Sequence, residues 1–208
     1  MLINKNSLSV LNHVSKDGRS FENVFIFKDC TIGTDGASLL KIGHPKNYNE
    51  EDFPHPENAG GSAENLNMIA ISPSSAKSLL KFIPKRSKGQ SEMVEMVKID
   101  VEKTNANGHL IASVSDMENP QTLKIKCVDV QPLDFERFFP KGEAKMTIYI
   151  NPEKLGELLL TMSNNLNKRG IQIIKMELFE QGAPIVFSAE NKETDQKMSA
   201  LIMPCRGW

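Results

Sequence analysis

Basic side chains gather around two stretches of the sequence that have the pattern of amphipathic helices. Lys77 and Lys81 are four residues apart, so a helix would carry them on one face. The candidate phosphate-contacting residues are Lys77, Lys81, Lys85, Arg86, Lys88, Lys154, Lys168 and Arg169. Contacts with phosphates are independent of sequence and need only mobile cations at loose spacing. A solvated lysine face is the alternative interpretation of the same pattern.

The histidines offer a second chemistry, a metal site. The four histidines lack ligand spacings such as HxxxH or HExxH. His44 and His55 flank an acidic run at residues 50–52, which could hold a metal ion in a metal-dependent or small-molecule enzyme. The composition of this stretch favours a solvated loop instead.

Motifs of the common enzyme classes are absent from the sequence. It contains no GxGxxG, P-loop or GxSxG pattern. The Gly-Thr-Asp-Gly run at residues 33–36 predicts a turn and not a phosphate cradle, because no helix opens after it. We therefore predict no enzyme activity, no catalytic residue, no metal and no cofactor.

The bulk composition is that of an ordinary globular chain. Its 208 residues are 39% apolar and 25% charged, and the formal net charge is −1. Such a chain can bury a core, and it has no overall basic signal for nucleic acid, although a basic stripe can be offset elsewhere. Three scattered cysteines suit a reducing compartment. Without a signal-peptide pattern or an apolar run near ~18 residues, we expect a soluble cytoplasmic protein that does not contact membranes.

The positions of these residues depend on a repeated order of elements. Three stretches each begin with a short apolar strand, continue through a polar capping residue into an amphipathic helix, and end in alternating strands. In the last copy, residues 145–151 predict the strand, and Asn151 followed by Pro152 predicts the start of the helix. Ser72 and Pro73 repeat this signal in the middle copy after a strand at residues 68–71.

In the first copy, residues 2–3 begin the pattern and Asn6 or Ser7 predicts the helix cap. The strands predicted after the three helices are residues 23–28, 30–33 and 38–42, then 97–103, 110–115 and 121–128, and finally 171–179, 184–189 and 197–203.

Repeated β-α-β-β-β units predict an α+β fold with helices on one face of antiparallel sheets. A single unit would leave sheet edges and one helix face unprotected, so neighbouring units must pair, within or between chains. We predict two units in residues 1–142, separated by a long loop at residues 44–65, and a third unit in residues 143–208. A loop of that length is typical of functional or mobile segments.

Four stretches in this order resemble the bacterial DNA sliding clamp, the beta subunit of DNA polymerase III, in a shortened or viral-type form. Residues 24–42 surround a Thr-Asp-Gly turn, and residues 128–140 pair an aspartate with an aromatic residue before a closing proline. Residues 150–162 are similar to a clamp strand-to-helix start, and residues 200–206 to the apolar-Met-Pro-x-Arg ending. A family domain has two units, so three units imply one complete domain and half of another.

The resemblance implies a DNA-clamp fold whose helices line a ring around duplex DNA, and a pocket for peptides of DNA polymerase and the clamp loader. Carried over position by position, the partner-peptide pocket comprises Thr34, Gly36, Leu39, Leu133, Phe138, Leu201, Met203, Pro204 and Arg206. A methionine in an apolar pocket can adapt to several partner side chains. Ala37 and Ser38 stand where the family usually has basic or imidazole groups, so the peptide preference can differ. Plain core packing of the last strand is the alternative.

These features predict a sliding clamp or clamp-like processivity factor in DNA replication, acting as a homo-oligomer without catalysing a reaction. The alternative is a clamp-fold protein-binding adaptor that does not encircle DNA. A clamp requires a closed oligomer with Lys77 and Lys81 facing inward, whereas an adaptor would lack a basic channel. An enzyme would bring His44 and His55 together at a cleft.

Overall fold

The computed structural model describes residues 1–15, 21–48, 50–53, 68–102, 108–116, 119–131, 134–166, 172–191 and 196–205. The chain divides into two compact units, Met1–Asp134 and Phe135–Trp208, here called unit 1 and unit 2. The predicted domains, residues 1–142 and 143–208, place the division slightly later, and their identity as clamp domains stays a prediction. Residues 49 and 54–65 of the predicted long loop lie outside the described residues.

Unit 1 combines antiparallel sheets with few helices. Its strands are β1 Leu2–Asn4, β2 Val24–Ile26, β3 Cys30–Thr34, β4 Leu39–Gly43, β5 Ile69–Ile71, β6 Met96–Glu102, β7 His109–Ser115 and β8 Pro120–Lys126. Its helices are α1 Pro73–Phe82 and the 3-10 helices Lys5–His13, Glu50–Asp52 and Glu92–Glu95. The predicted strands therefore form close to their expected positions in this unit.

The strands of unit 1 pair in a pattern that crosses between its two halves. One sheet has the order β1-β6-β7-β8 and the other has the order β5-β2-β3-β4. Strand β1, which precedes the 3-10 helix Lys5–His13, thus joins the strands that follow α1. Strand β5, which precedes α1, joins the strands that follow the 3-10 helix. Strand β1 pairs antiparallel with β6, and β5 pairs antiparallel with β2, each through three residue pairs. As a result, β1 covers the open edge of β6, and β5 covers the open edge of β2.

One hydrophobic core joins the two halves of unit 1. Leu8 and Val10 of the 3-10 helix Lys5–His13 belong to the same buried cluster as Ala76 and Leu79 of α1. Strands of both sheets contribute to this cluster as well, among them β2 and β6. Burying apolar surface stabilises a fold by about 25 cal/mol per Å². Because residues of both halves bury their surface in one cluster, this stabilisation depends on elements that are far apart in sequence.

The helix caps confirm two predictions and correct a third. Ser72 caps α1 through its Oγ, which accepts a hydrogen bond from the Ser75 N–H, and Asn151 caps α2 as expected. The first helix is a 3-10 helix capped by Asn4, so the predicted cap at Asn6 or Ser7 is wrong. The Asn4 Oδ1 accepts from both the backbone N–H and the hydroxyl of Ser7, at 2.9 and 3.0 Å. Strand β1 runs to Asn4, one residue beyond the predicted residues 2–3, and the helix begins directly after it at Lys5.

The described residues of unit 2 contain a single α-helix followed by three strands, the order found after each helix predicted in unit 1. Its elements are the 3-10 helix Phe135–Phe138, α2 Pro152–Asn165, β9 Lys175–Glu177, β10 Ile185–Asn191 and β11 Gln196–Ile202. The three strands form one antiparallel sheet in the order β9-β10-β11. A turn with Gly182 in the left-handed region joins β9 to β10, as the Gln-Gly pair predicts.

The strand predicted at residues 145–151 does not form a ladder. Tyr149 makes an isolated bridge with Cys205, whose N–H donates to the Tyr149 carbonyl at 2.8 Å. In unit 1 the corresponding strands find their ladders in the other half of the unit, and the described residues of unit 2 contain no such second half. The threefold repeat of one unit stays a prediction.

Candidate nucleic-acid interface

Helix α1 presents its lysines on the side opposite to its buried stripe. Ala76 and Leu79 are fully buried, whereas Lys77 and Lys81 are exposed. Pro73 occupies the first turn, where its missing N–H leaves no partner unsatisfied. Because the apolar stripe fixes the rotation of the helix, the two lysines share one solvent-facing surface.

The segment after α1 carries the next basic residues, and one of them is already paired. Lys85, Arg86 and Lys88 are exposed. The Arg86 guanidinium lies 3.1 Å from a Glu92 carboxylate oxygen, and the Tyr48 hydroxyl donates to the same carboxylate. The hydrogen bond from Tyr48 has the largest effect in lowering the pKa of Glu92, and the interaction with Arg86 lowers it further. Glu92 therefore remains charged and offsets much of the positive charge of Arg86.

Two depressions at the helices of unit 1 are lined by basic side chains. Lys5 and Arg86 line a shallow one of about 200 Å³, together with acidic Glu92. Lys77 lines a larger cleft of about 640 Å³ between the 3-10 helix Lys5–His13 and α1, with Glu22 on its wall. Cations from separate segments thus gather at the helical layer of unit 1, among carboxylates that reduce the net charge.

In unit 2 the predicted basic surface is represented by Lys154 near the start of α2. This side chain is exposed, and its Nζ lies 3.3 Å from Glu157, one turn further along the helix. An exposed pair of this kind contributes little to stability and leaves the ammonium accessible. Lys168 and Arg169 lie outside the described residues.

The Thr-Asp-Gly turn of unit 1 is held by its own side chains. The Asp35 Oδ1 accepts hydrogen bonds from the N–H groups of Ala37 and Ser38, at 2.9 and 2.7 Å. These hydrogen bonds lower the pKa of Asp35, and the bond from the Ser38 N–H has the largest effect. The Thr34 hydroxyl donates to the Ser38 carbonyl, and Gly36 adopts a φ of 88° that favours glycine. These side-chain hydrogen bonds hold the turn together, and Leu39 begins β4 directly after it.

The other predicted pocket residues lie at the unit boundary and in unit 2. Leu133 and Arg206 lie outside the described residues. Phe138 is exposed at the end of the 3-10 helix Phe135–Phe138, and its ring is 6.3 Å from that of Phe135. Leu201 and Met203 are exposed, and Pro204 is half-buried.

An open groove of about 1070 Å³ runs between α2 and β11 in unit 2. It brings together three residues that the sequence assigned to two different surfaces, namely Lys154, Leu201 and Met203. Leu158 and Met198 also line it, and neither was predicted as a site residue. Both side chains are partly buried against the core of unit 2, and periodicity alone does not indicate which core positions stay accessible.

His44 is occupied by hydrogen bonds within the fold. Its Nδ1 lies 3.3 Å from the Lys28 carbonyl, which can only accept, so Nδ1 carries the proton. Its Nε2 lies 2.9 Å from the Thr31 hydroxyl and accepts from it. Both ring nitrogens are therefore used, and His55 lies outside the described residues. In the ranges that the structure describes, no group of three or more His, Cys, Asp or Glu side chains could hold a metal ion.

Acidification is expected to destabilise the protein through His44. Burial lowers the pKa of His44 below its ordinary value of 6.5, and the Lys28 carbonyl offsets this only in part. The unfolded chain binds the proton first, so the free energy of unfolding falls as pH drops below about 6.5, until the folded imidazole also titrates. Denaturant midpoints measured on either side of that pH should show a smaller dependence in His44→Gln. An unchanged pH dependence in this variant would contradict the assignment.

No helix among the described residues is long and apolar enough to cross a membrane. No family model matches the sequence, and no curated protein sequence is similar to it. The fold is similar to that of the DNA polymerase III subunit beta from Borrelia burgdorferi, solved in complex with a natural product. The TM-score is 0.58 at 13% sequence identity, and the match covers 98% of this chain.

This similarity supports the predicted clamp-like fold and concerns the fold alone. The match covers 47% of the Borrelia chain, so the present chain spans about half the length of that subunit. At this identity, residue roles do not follow from the alignment.

Proposed function

We propose that this chain is a DNA sliding clamp or clamp-like processivity factor that holds duplex DNA and tethers a DNA polymerase. The observation that carries the proposal is the clamp-like fold combined with the exposed lysine face of α1, whose opposite face is buried. The function is topological retention and multivalent tethering, so it requires no catalytic residue, metal or cofactor. As a cytoplasmic replication protein, the chain would act as a homo-oligomer.

The lysines contribute through charge and not through base readout. Each ammonium that neutralises a phosphate releases counterions, which gives affinity that is independent of sequence and sensitive to salt. Lys77, Lys81, Lys85 and Lys88 would supply this term in unit 1. Arg86 would supply less, because Glu92 pairs with it at 3.1 Å. In unit 2, Lys154 would contribute in the same way, and Lys168 and Arg169, which lie outside the described residues, are predicted to do so from the sequence.

Tethering of polymerase or clamp-loader peptides would use the groove between α2 and β11. Leu201 and Met203 expose apolar side chains there, and Met198 and Met162 line the same groove. Flexible thioethers can adapt to Leu or Phe side chains of different partners. The assignment of Thr34, Gly36 and Leu39 in unit 1, and of Phe138 and Pro204 in unit 2, to a peptide site stays a prediction from the sequence.

The second candidate function is a protein-binding adaptor with the same fold. Two of the predicted basic residues have acidic partners, Arg86 with Glu92 and Lys154 with Glu157. The formal net charge is −1. Both observations favour peptide binding in the unit 2 groove without DNA encirclement.

Replacing Lys77 and Lys81 together by glutamine is expected to weaken binding to duplex DNA of any sequence. The slope of log K against log salt concentration should decrease by about 2, because each lost phosphate contact removes roughly 0.9 from it. Titrations of labelled duplex at several salt concentrations measure this slope. Retention of the wild-type protein on circular but not on linear DNA tests the topological part of the proposal.

The matched control is the double change Lys124→Gln and Lys126→Gln on β8. These two lysines are also exposed, but they lie on a strand whose inward residue is Ile125. The net charge changes equally in both variants, and the control also removes the ion pair of Lys124 with Glu102. Equal loss of DNA affinity in both would contradict a helical DNA interface. No DNA binding by the wild type would leave the adaptor function.

A further inference from the structure

Strand β11 borders the groove of unit 2 with an open edge. The sheet order is β9-β10-β11, so β11 pairs with β10 on one side and with no strand of the described residues on the other. From Lys197 to Ile202, every residue of β11 lines the groove. Side chains of successive residues point to opposite faces of a sheet, so only a groove that follows the edge of the strand reaches them all. The groove therefore follows backbone N–H and C=O groups as well as side chains.

The edge of β11 lacks the protection that is present on the corresponding strand of unit 1. Strand β8 is likewise the third strand after its helix, and its outer edge also carries no described strand. It begins with Pro120 and exposes Lys124 and Lys126, residue types that protect natural sheet edges against pairing with other chains. On the corresponding face of β11, Leu201 and Met203 are 60% and 57% exposed. An edge with apolar side chains is a template for an added strand.

Helix α2 forms the other wall of the groove. Its Leu158 and Met162 line the groove together with Met198 and Ala200 from the core side of β11. A ligand in the groove would contact these apolar side chains and the backbone edge of β11 at once. A helical ligand would leave the backbone N–H and C=O groups of β11 unpaired, whereas an extended peptide pairs with them. The groove therefore fits an extended peptide.

The charges of the groove favour an acidic residue in that peptide. Lys154 and Lys197 line the groove, but Lys154 already lies 3.3 Å from Glu157. Lys197 is exposed near the start of β11, and on the occupied side of the strand the residue opposite it is Glu190. Strand β11 contains no acidic residue of its own. Two copies of β11 paired about a twofold axis would therefore leave Lys197 without a carboxylate, which favours a different chain as the occupant.

We propose that the groove binds an extended segment of a partner protein, which adds to β11 as an antiparallel strand. It would place an acidic residue opposite Lys197 and an apolar residue opposite Leu201. Strand β10 provides the pattern, because its Val186 lies opposite Leu201 and its Phe187 opposite Ala200. Backbone hydrogen bonds would supply affinity and the alternate side chains specificity. The inference rests on the proposed tethering function, since it specifies how the tethered segment is held.

Binding of a labelled synthetic peptide to the whole chain, followed by fluorescence anisotropy, tests the added strand. The probe has the sequence of β10, residues 185–191, whose side chains already match β11, and it should bind in the micromolar range. Two further probes are N-methylated at alternate residues, one at the odd and one at the even positions. Alternate N–H groups of a strand point to opposite edges, so one of these probes should bind about tenfold more weakly and the other like the parent.

Lys197→Glu tests the charge pattern. This variant should bind the parent probe about threefold more weakly, because like charges then lie opposite each other. A probe that carries Glu190→Lys should recover the lost affinity with this variant. Lys126→Glu on β8 is the matched control, because it makes the same change at another exposed lysine next to an open sheet edge. It should bind the parent probe like the wild type.

Equal binding of the two N-methylated probes would overturn strand addition, as would a parent probe that does not bind. A dimer in sedimentation equilibrium that the probe does not dissociate would also overturn it, because a second copy would then occupy the edge. Duplex DNA is absent from these measurements, so the proposed function fails separately. Strand addition in a chain that does not bind duplex DNA would support this inference and leave the adaptor function.

Discussion

Gly33→Ala is expected to lower the free energy of unfolding by about 3 kcal/mol or more, at the upper end of the range for overpacked sites. Strand β3 passes so close to the 3-10 helix Lys5–His13 that a Cβ on Gly33 would lie 2.3 Å from the Val10 carbonyl oxygen. That atom belongs to the backbone, so no side-chain rotation relieves the clash. Native domains are stable by only about 5–15 kcal/mol, and this loss is a large share of that.

Gly156→Ala is the control, because it makes the same glycine-to-alanine change at a position without a close neighbour. Gly156 lies within α2, and a Cβ there meets nothing within 4 Å. Alanine should raise the free energy of unfolding by roughly 0.5–1 kcal/mol, because glycine is the poorer helix former. Urea denaturation followed by circular dichroism measures both variants. Similar values for the two would show that the close approach at Gly33 does not decide the packing.

Leu79→Ala should destabilise unit 1 by about 2–5 kcal/mol. Leu79 is 0% exposed and lies in the core cluster that joins both halves of the unit. Removing three carbons from a close-packed site costs the transfer free energy of those atoms and leaves a cavity that the surroundings only partly fill. Thermal and urea denaturation of the variant and the wild type give the difference.

Leu158→Ala is the corresponding change in unit 2, because Leu158 lies at the same distance from its helix cap. Its side chain is only half-buried. The expected loss is therefore below about 2 kcal/mol at low protein concentration, since less surface is removed from water. A loss equal to that of Leu79→Ala in dilute solution would mean that unit 2 completes its core alone.

Much of the local structure could be predicted from the sequence. Ser72 and Asn151, each followed by proline, mark the beginnings of α1 and α2 correctly. The spacing of apolar residues indicates which face of α1 is buried, and so which face carries Lys77 and Lys81. These features depend on interactions within one helical turn, so a few neighbouring residues suffice to specify them.

Features that join distant segments were not predictable in the same way. The cap of the first helix was assigned to Asn6 or Ser7, whereas the end of β1 puts it at Asn4. The pairing of Arg86 with Glu92 crosses a loop and left no sequence signal. The groove between α2 and β11 combines Lys154 with Leu201, which the sequence assigned to separate surfaces.

The sequence by itself determined where α1 and α2 begin and where most strands of unit 1 lie, and its order of elements predicted a clamp-like fold. Only the tertiary structure decided that β1 joins β6 and β5 joins β2, and that residues 145–151 form a single bridge instead of a ladder. The physical reason is that capping and periodicity are local, whereas a strand forms only where another strand satisfies its backbone groups. In unit 1 that partner lies in the other half of the unit, whereas in the described residues of unit 2 Tyr149 makes a single bridge.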